Sequence, residues 1–151
     1  MSATNRADVT WKDHGPDNVG GRTRAILIDI DDDNHVYAGS VSGGLFESFN
    51  RANTWQKVDG FYENLGVSSM CMTDNGNLYV ATGHDTEGTG GTTAGYDSGM
   101  NGNGMYVSTD GGTTFTQVTG TGNYNYMNEI VAKGNDVFMA TNSGLKKLSG
   151  V

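Results

Sequence analysis

Cysteine and proline are almost missing from this sequence, with one of each. A single cysteine, Cys71, excludes an internal disulfide framework. It lies in the strand-like run "VSSMCMTD", so it reads as a small buried core residue. No apolar run approaches the length of a membrane-crossing helix. Basic residues are scarce: nine Lys and Arg against 17 Asp and Glu, a net charge of -8. Such a chain is repelled by phosphate backbones and anionic bilayers, so neither nucleic acid nor membrane is expected as a partner. The N-terminus "MSATNRADVT" has no hydrophobic region, so no signal peptide is visible. Apolar residues make up 35% of the chain, below the usual share for globular proteins.

What is abundant is glycine, 24 of 151 residues. The apolar residues fall in short runs separated by charged and turn residues, a pattern of many short strands and tight turns. These runs repeat. "VYAGS" at 36–40, "LYVAT" at 78–82 and "VFMAT" at 137–141 are three copies of one strand that ends in small residues. Tyr37 and Tyr79 are 42 residues apart, and Tyr79 and Phe138 are 59 apart. A glycine-rich insertion at 84–103 accounts for the difference. A period near 42 matches a four-stranded propeller blade.

Strands follow within each repeat: A at 22–30, 67–73 and 128–133; B at 35–41, 77–83 and 136–141; C at 44–49, 104–109 and 144–149; D at 54–58 and 114–118. "DDDN", "DNGN" and "KGND" supply the A–B turns. Between C and D an eight-residue phrase occurs twice, as "STDGGTTF" from Ser108 and, more divergently, as "SFNRANTW" from Ser48. Asp110 can accept turn N–H groups, Gly112 permits a left-handed backbone, and Phe115 can fold under the turn. Ser48, Asn50 and Trp55 are the matching positions. Asn50 in place of Asp, and Ala52 in place of Gly, predict a looser first copy.

The Ser-x-Asp-x-Gly-x-Thr-aromatic phrase resembles the Asp-box (bacterial neuraminidase repeat) β-propellers. The stretch "GPDNVGGRTRAI" followed by "YAGSVSGGLFES" is similar to sortilin-like propeller repeats in secreted Bacteroidetes proteins. The resemblance implies an all-β propeller of four-stranded antiparallel blades. The whole chain, 1–151, reads as one propeller segment with repeats at about 22–58, 67–118 and 128–149. "ADVTWKDHG" parallels strand D, so an N-terminal strand at 8–13 would complete a blade, in the order D-ABCD-ABCD-ABC. Three blades do not close a ring. Two chains joined head to tail would make six, and the other expectation is the remainder of a larger propeller. An extracellular or virion-borne setting is expected.

In such propellers the D–A and B–C loops share one face. Here these loops carry Phe61, Tyr62, Tyr96, Tyr124 and Tyr126, with Glu63 and Asp97 beside them and Arg22 at the start of a strand A. Aromatic rings next to carboxylates suit sugar rings or a protein surface. Catalysis is poorly supported. A sialidase-like site needs three arginines on one face. Arg22 and Arg24 open one strand A, whereas Arg51 falls in a turn on the opposite face. Glu63 and Asp97 could serve as a pair of glycosidase carboxylates, but no motif marks them. Asp29, Asp31 and Asp33 stand in a D-x-D-x-D-N spacing that can ligate Ca²⁺. A bidentate Glu is missing, Ser40 standing in its place, and a polar hairpin turn is the plainer reading. The sequence therefore points to a binding or adhesion module, with a structural assembly module or an Asp-box glycoside hydrolase fragment as alternatives.

Overall fold

The computed structural model describes residues 10–12, 22–62, 64, 66–84 and 100–149. They form eleven strands and no helix: β1 (Thr23–Ile28), β2 (Val36–Ser40), β3 (Leu45–Ser48), β4 (Gln56–Lys57), β5 (Val67–Met72), β6 (Leu78–Thr82), β7 (Met105–Ser108), β8 (Thr116–Gln117), β9 (Met127–Lys133), β10 (Asp136–Thr141) and β11 (Gly144–Leu148). These make three antiparallel sheets, β1-β2-β3-β4, β5-β6-β7-β8 and β9-β10-β11, each in simple meander order. The first strands β1, β5 and β9 lie side by side, so the sheets stack as blades around a common inner edge. The predicted strands appear in order, although β4 and β8 are only two residues long. Of the expected strand at 8–13, Thr10 to Lys12 are described and belong to no strand; the rest lies outside the described residues. The third sheet has three strands among the described residues.

Alternation along each strand fills two separate cores. On β6, Leu78 and Val80 join Tyr37, Leu45, Val58, Phe61 and Tyr106 between the first and second sheets. Tyr79 and Ala81 turn the other way and meet Met105, Met127, Ile130, Val137 and Met139 between the second and third. A middle blade is covered on both faces, which is why "LYVAT" is an unbroken buried run rather than an alternating one. Cys71 sits in the second core, as expected, and burial pushes its thiol up to about 12. At neutral pH it is a protonated, unreactive side chain.

The repeated phrase between the third and fourth strands forms a closed turn. Ser108 Oγ accepts from Gly112 N (2.8 Å) and donates to Asp110 Oδ1 (2.7 Å). The Asp110 carboxylate in turn accepts from Thr114 N (2.9 Å) and Thr114 Oγ1 (2.6 Å). Phe115 lies edge-on to Phe61, 5.1 Å between ring centres, under the turn. The first copy is not looser in its hydrogen bonding. Ser48 Oγ accepts from Ala52 N (2.9 Å), and Asn50 Oδ1 accepts from Thr54 N (2.9 Å). The Asn amide oxygen takes the place of the carboxylate. The worn sequence shows instead in the backbone: Arg51 and Ala52 hold φ of +56° and +62°, a region that side chains disfavour.

The side-chain hydroxyl and backbone N–H of Thr114, and the Ser108 hydroxyl, hold the Asp110 carboxyl down from its ordinary 3.8 to about 2. Its folded value is below its unfolded value. The turn hydrogen bonds therefore stabilise the folded state fully above pH 4 or so, and that contribution is lost as the pH falls through about 2. NMR titration of the side-chain carboxyl is expected to give an apparent value near 2, and Thr114→Val to raise it. An unshifted Asp110 would mean the turn is open in solution.

Candidate functional site

Strand direction decides which loops share an end. In an antiparallel meander the entry to the first strand and the link between the second and third lie at one end of the blade. The hairpin turns and the Ser108–Phe115 turn lie at the other. At the first end each inner strand carries the same irregularity. Thr23 pairs with Ser40 but Ala25 with Gly39, leaving Arg24 as an extra residue. Val67 pairs with Thr82 but Ser69 with Ala81, leaving Ser68. Met127 pairs with Thr141 but Glu129 with Ala140, leaving Asn128. A bulge re-aims the residue it inserts and interrupts pairing, and is common beside binding sites.

The three bulge residues converge. Arg24, Ser68 and Asn128 line one open concavity of about 510 Å³, together with Ser69, Glu129 and the inner-strand residues Ile26, Met70, Ile130 and Val131. Arg24, Asn128 and Glu129 are exposed. Ser68 is buried, and its Oγ has no hydrogen-bond partner. Ser69 Oγ accepts from Ile130 N (3.1 Å) and so ties the second inner strand to the third. The concavity offers a cation, a hydroxyl, an amide and a carboxylate along the row of inner strands. Among the described residues, its lining contains a single carboxylate and neither histidine nor an aromatic ring.

The residues singled out from sequence are placed differently. Arg22 is exposed at the same end, two residues before the first bulge, and its carbonyl accepts from Val41 N (2.9 Å). Tyr62 is exposed, donates to Asp59 Oδ1 (3.3 Å), and carries the Lys57 ammonium 5.5 Å from its ring centre. Tyr124 is half-buried against the second core, and Tyr126 is half-buried with its carbonyl accepting from Asn142 N (3.2 Å). Phe61, counted with the loop aromatics, is fully buried in the first core. None of these lines the concavity. Glu63, Tyr96 and Asp97 lie outside the described residues.

The aspartate-rich turn is also differently used. Among the described residues no group of three His, Cys, Asp or Glu is placed to hold a metal ion, so Asp29, Asp31 and Asp33 are not gathered into a ligand set. Asp29 Oδ1 accepts from Asp31 N (3.0 Å), and Asp29 Oδ2 meets His35 Nδ1 (3.1 Å). His35 Nε2 meets Glu47 Oε2 (3.2 Å), with the ring stacked on Phe49 at 4.4 Å. This buried His35 clamp, which joins the first hairpin to β3, gave no signal in the sequence because its parts are scattered.

No protein-family model and no curated protein sequence matches the chain. Solved structures do. YCF48 from Cyanidioschyzon merolae is similar at TM-score 0.59 and 19% identity, over 84% of this chain and 34% of that one. The GH74 xyloglucanase from Xanthomonas campestris is similar at TM-score 0.62 and 18% identity, over 82% of this chain and 20% of that one. A structure of YCF48 bound to D1 peptide is similar at TM-score 0.60 and 18% identity, over 85% of this chain and 38% of that one. The chain thus spans between a fifth and two fifths of these proteins. Likeness at such low identity speaks for the fold alone. With three stacked antiparallel sheets and these neighbours, the chain is a β-propeller segment.

Proposed function

We propose that this chain is a non-catalytic binding module that recognises a protein surface, through an extended segment laid across the bulge-lined concavity. The observation that carries this is the convergence of Arg24, Ser68 and Asn128 from three blades. An extended peptide has backbone donors and acceptors to offer such a row. Among the described residues the lining presents polar side chains and no aromatic ring, which suits a peptide better than a stacked sugar. A peptide is also what one structural neighbour, YCF48, is described as binding. A net charge of -8 favours basic segments through steering. The paired Ser48 and Ser108 turns support membership of the Asp-box propellers, and an extracellular or virion-borne setting would suit a recognition role.

A glycan is the second reading, carried by the exposed Tyr62 ring beside Asp59 at the same end of the blades. The two separate cleanly. Panning the chain against a displayed random-peptide library is expected to enrich binders that lose about tenfold in affinity with Arg24→Ala or Asn128→Ala, the effect of one hydrogen bond to a charged or amide group. Binding on a glycan array that Tyr62→Ala abolishes, with Arg24→Ala without effect, would move the ligand to the second reading. Turnover of a chromogenic glycoside would overturn both.

A further inference from the structure

The charges of the concavity stand on opposite sides of it. Among the described residues that line it, Arg24 and Glu129 are the charged ones. Both are exposed, and neither enters an ion pair among the described residues. β5 lies between β1 and β9, so Ser68 and Ser69 separate the cation on the first sheet from the carboxylate on the third. The row is therefore polarised, positive at one side and negative at the other.

The middle of the row is different in kind. Ser68 is 4% exposed, and its Oγ has no hydrogen-bond partner. A hydroxyl both donates and accepts, and a buried one left unpaired is costly until a ligand engages it. Ser69 is not open in the same way, because its Oγ already accepts from Ile130 N (3.1 Å). The matching ligand carries opposite charges at its two ends and a small, hydrogen-bonding centre. Side-by-side strands are about 5 Å apart or more, so two steps across the row cover about 10 Å or more. Side chains that point the same way along an extended segment recur every second residue, so an acid and a base about four residues apart, roughly 13 Å, span the row.

We propose, resting on the reading of this concavity as a peptide site, that its partner is a bipolar extended segment: an acidic side chain over Arg24, a basic side chain over Glu129, and a small residue between them over Ser68. The chain's net charge of -8 draws basic segments in from a distance, whereas the polarity of the row selects among them at contact. Calorimetric titration at low salt with four peptides in a Gly-Ser background tests this. One carries Asp and Lys four residues apart; the others carry two Asp, two Lys or two Ser at the same places. The Asp–Lys peptide is expected to bind the unaltered chain at least about tenfold more tightly than each of the others. Glu129→Arg is expected to turn the preference to the two-Asp peptide, and Arg24→Glu to the two-Lys peptide; both sites are exposed, so both variants are compatible with the fold. Any other ranking on the unaltered chain, with binding still weakened by Asn128→Ala, would overturn the bipolar partner and leave the concavity as the site. Binding by none of the four, or binding indifferent to Asn128→Ala, would overturn the peptide-site reading together with the proposal.

Discussion

Replacing Phe61 with alanine is expected to destabilise the chain by about 3–5 kcal/mol, the usual cost of emptying a packed aromatic site. Phe61 belongs to a loop, yet no part of it meets solvent. Its ring is edge-on to Tyr106 at 5.5 Å and to Phe115 at 5.1 Å, so it joins the second sheet to the turn beneath it. The loop closes on the core through Phe61 N, which donates to the Val58 carbonyl (3.4 Å). Deleting the ring leaves a cavity bounded by strands that cannot collapse without breaking their ladders. The adjacent Tyr62 is the control: exposed, it is expected to change stability by less than about 0.5 kcal/mol when replaced by alanine. Urea denaturation of both variants checks the pair. Equal effects would mean that the loop does not pack as described.

Gly83→Ala is expected to cost about 2–6 kcal/mol, from two sources that add. The backbone there has φ of +79°, which costs a side chain about 1–3 kcal/mol. A Cβ would also overlap the Asn125 carbonyl oxygen and the Gly102 nitrogen, both backbone atoms that cannot rotate away, at a further 1–3 kcal/mol or about that. Gly83 is where three segments meet. Its N–H donates to the Gly66 carbonyl (3.0 Å), its carbonyl accepts from Met127 N (3.1 Å), and Gly102 N donates to the Asn125 carbonyl (2.7 Å) alongside. Gly120 separates the two sources. It has φ of +83° but open space around its Cα, so Gly120→Ala should carry the dihedral penalty alone. Thermal unfolding of the two variants tests this: a Gly83→Ala shift no larger than that of Gly120→Ala would mean the close approach is absent.

Legibility followed the range of the interactions. The strands were readable because "VYAGS", "LYVAT" and "VFMAT" carry their apolar pattern in neighbouring residues, the first two buried throughout and the third at alternate positions, and a chain segment displays that pattern whatever surrounds it. The Ser108–Phe115 turn was readable because its hydrogen bonds span at most four residues. The neighbours Phe61 and Tyr62 were not separable: both are aromatic in a loop, and only the position of the second sheet decides which ring is inside. The aspartates at 29, 31 and 33 looked like a ligand set because spacing was all there was to see. His35 and Glu47, which engage Asp29 or its partner, come from farther along the chain.

The candidate site marks the boundary most plainly. Arg24, Ser68 and Asn128 fall near the start of the three predicted A strands, but they share no chemistry and no motif, so residue type alone does not mark them as one site. What they share is a register slip, and register is a relation between two strands rather than a property of either. The sequence by itself determined the repeat, the strands and the turns, since periodic burial and short-range hydrogen bonding are written in neighbouring residues. Only the tertiary structure decided which residues line the common concavity and which loop rings are buried, because both depend on how separate sheets are stacked and where their pairing slips.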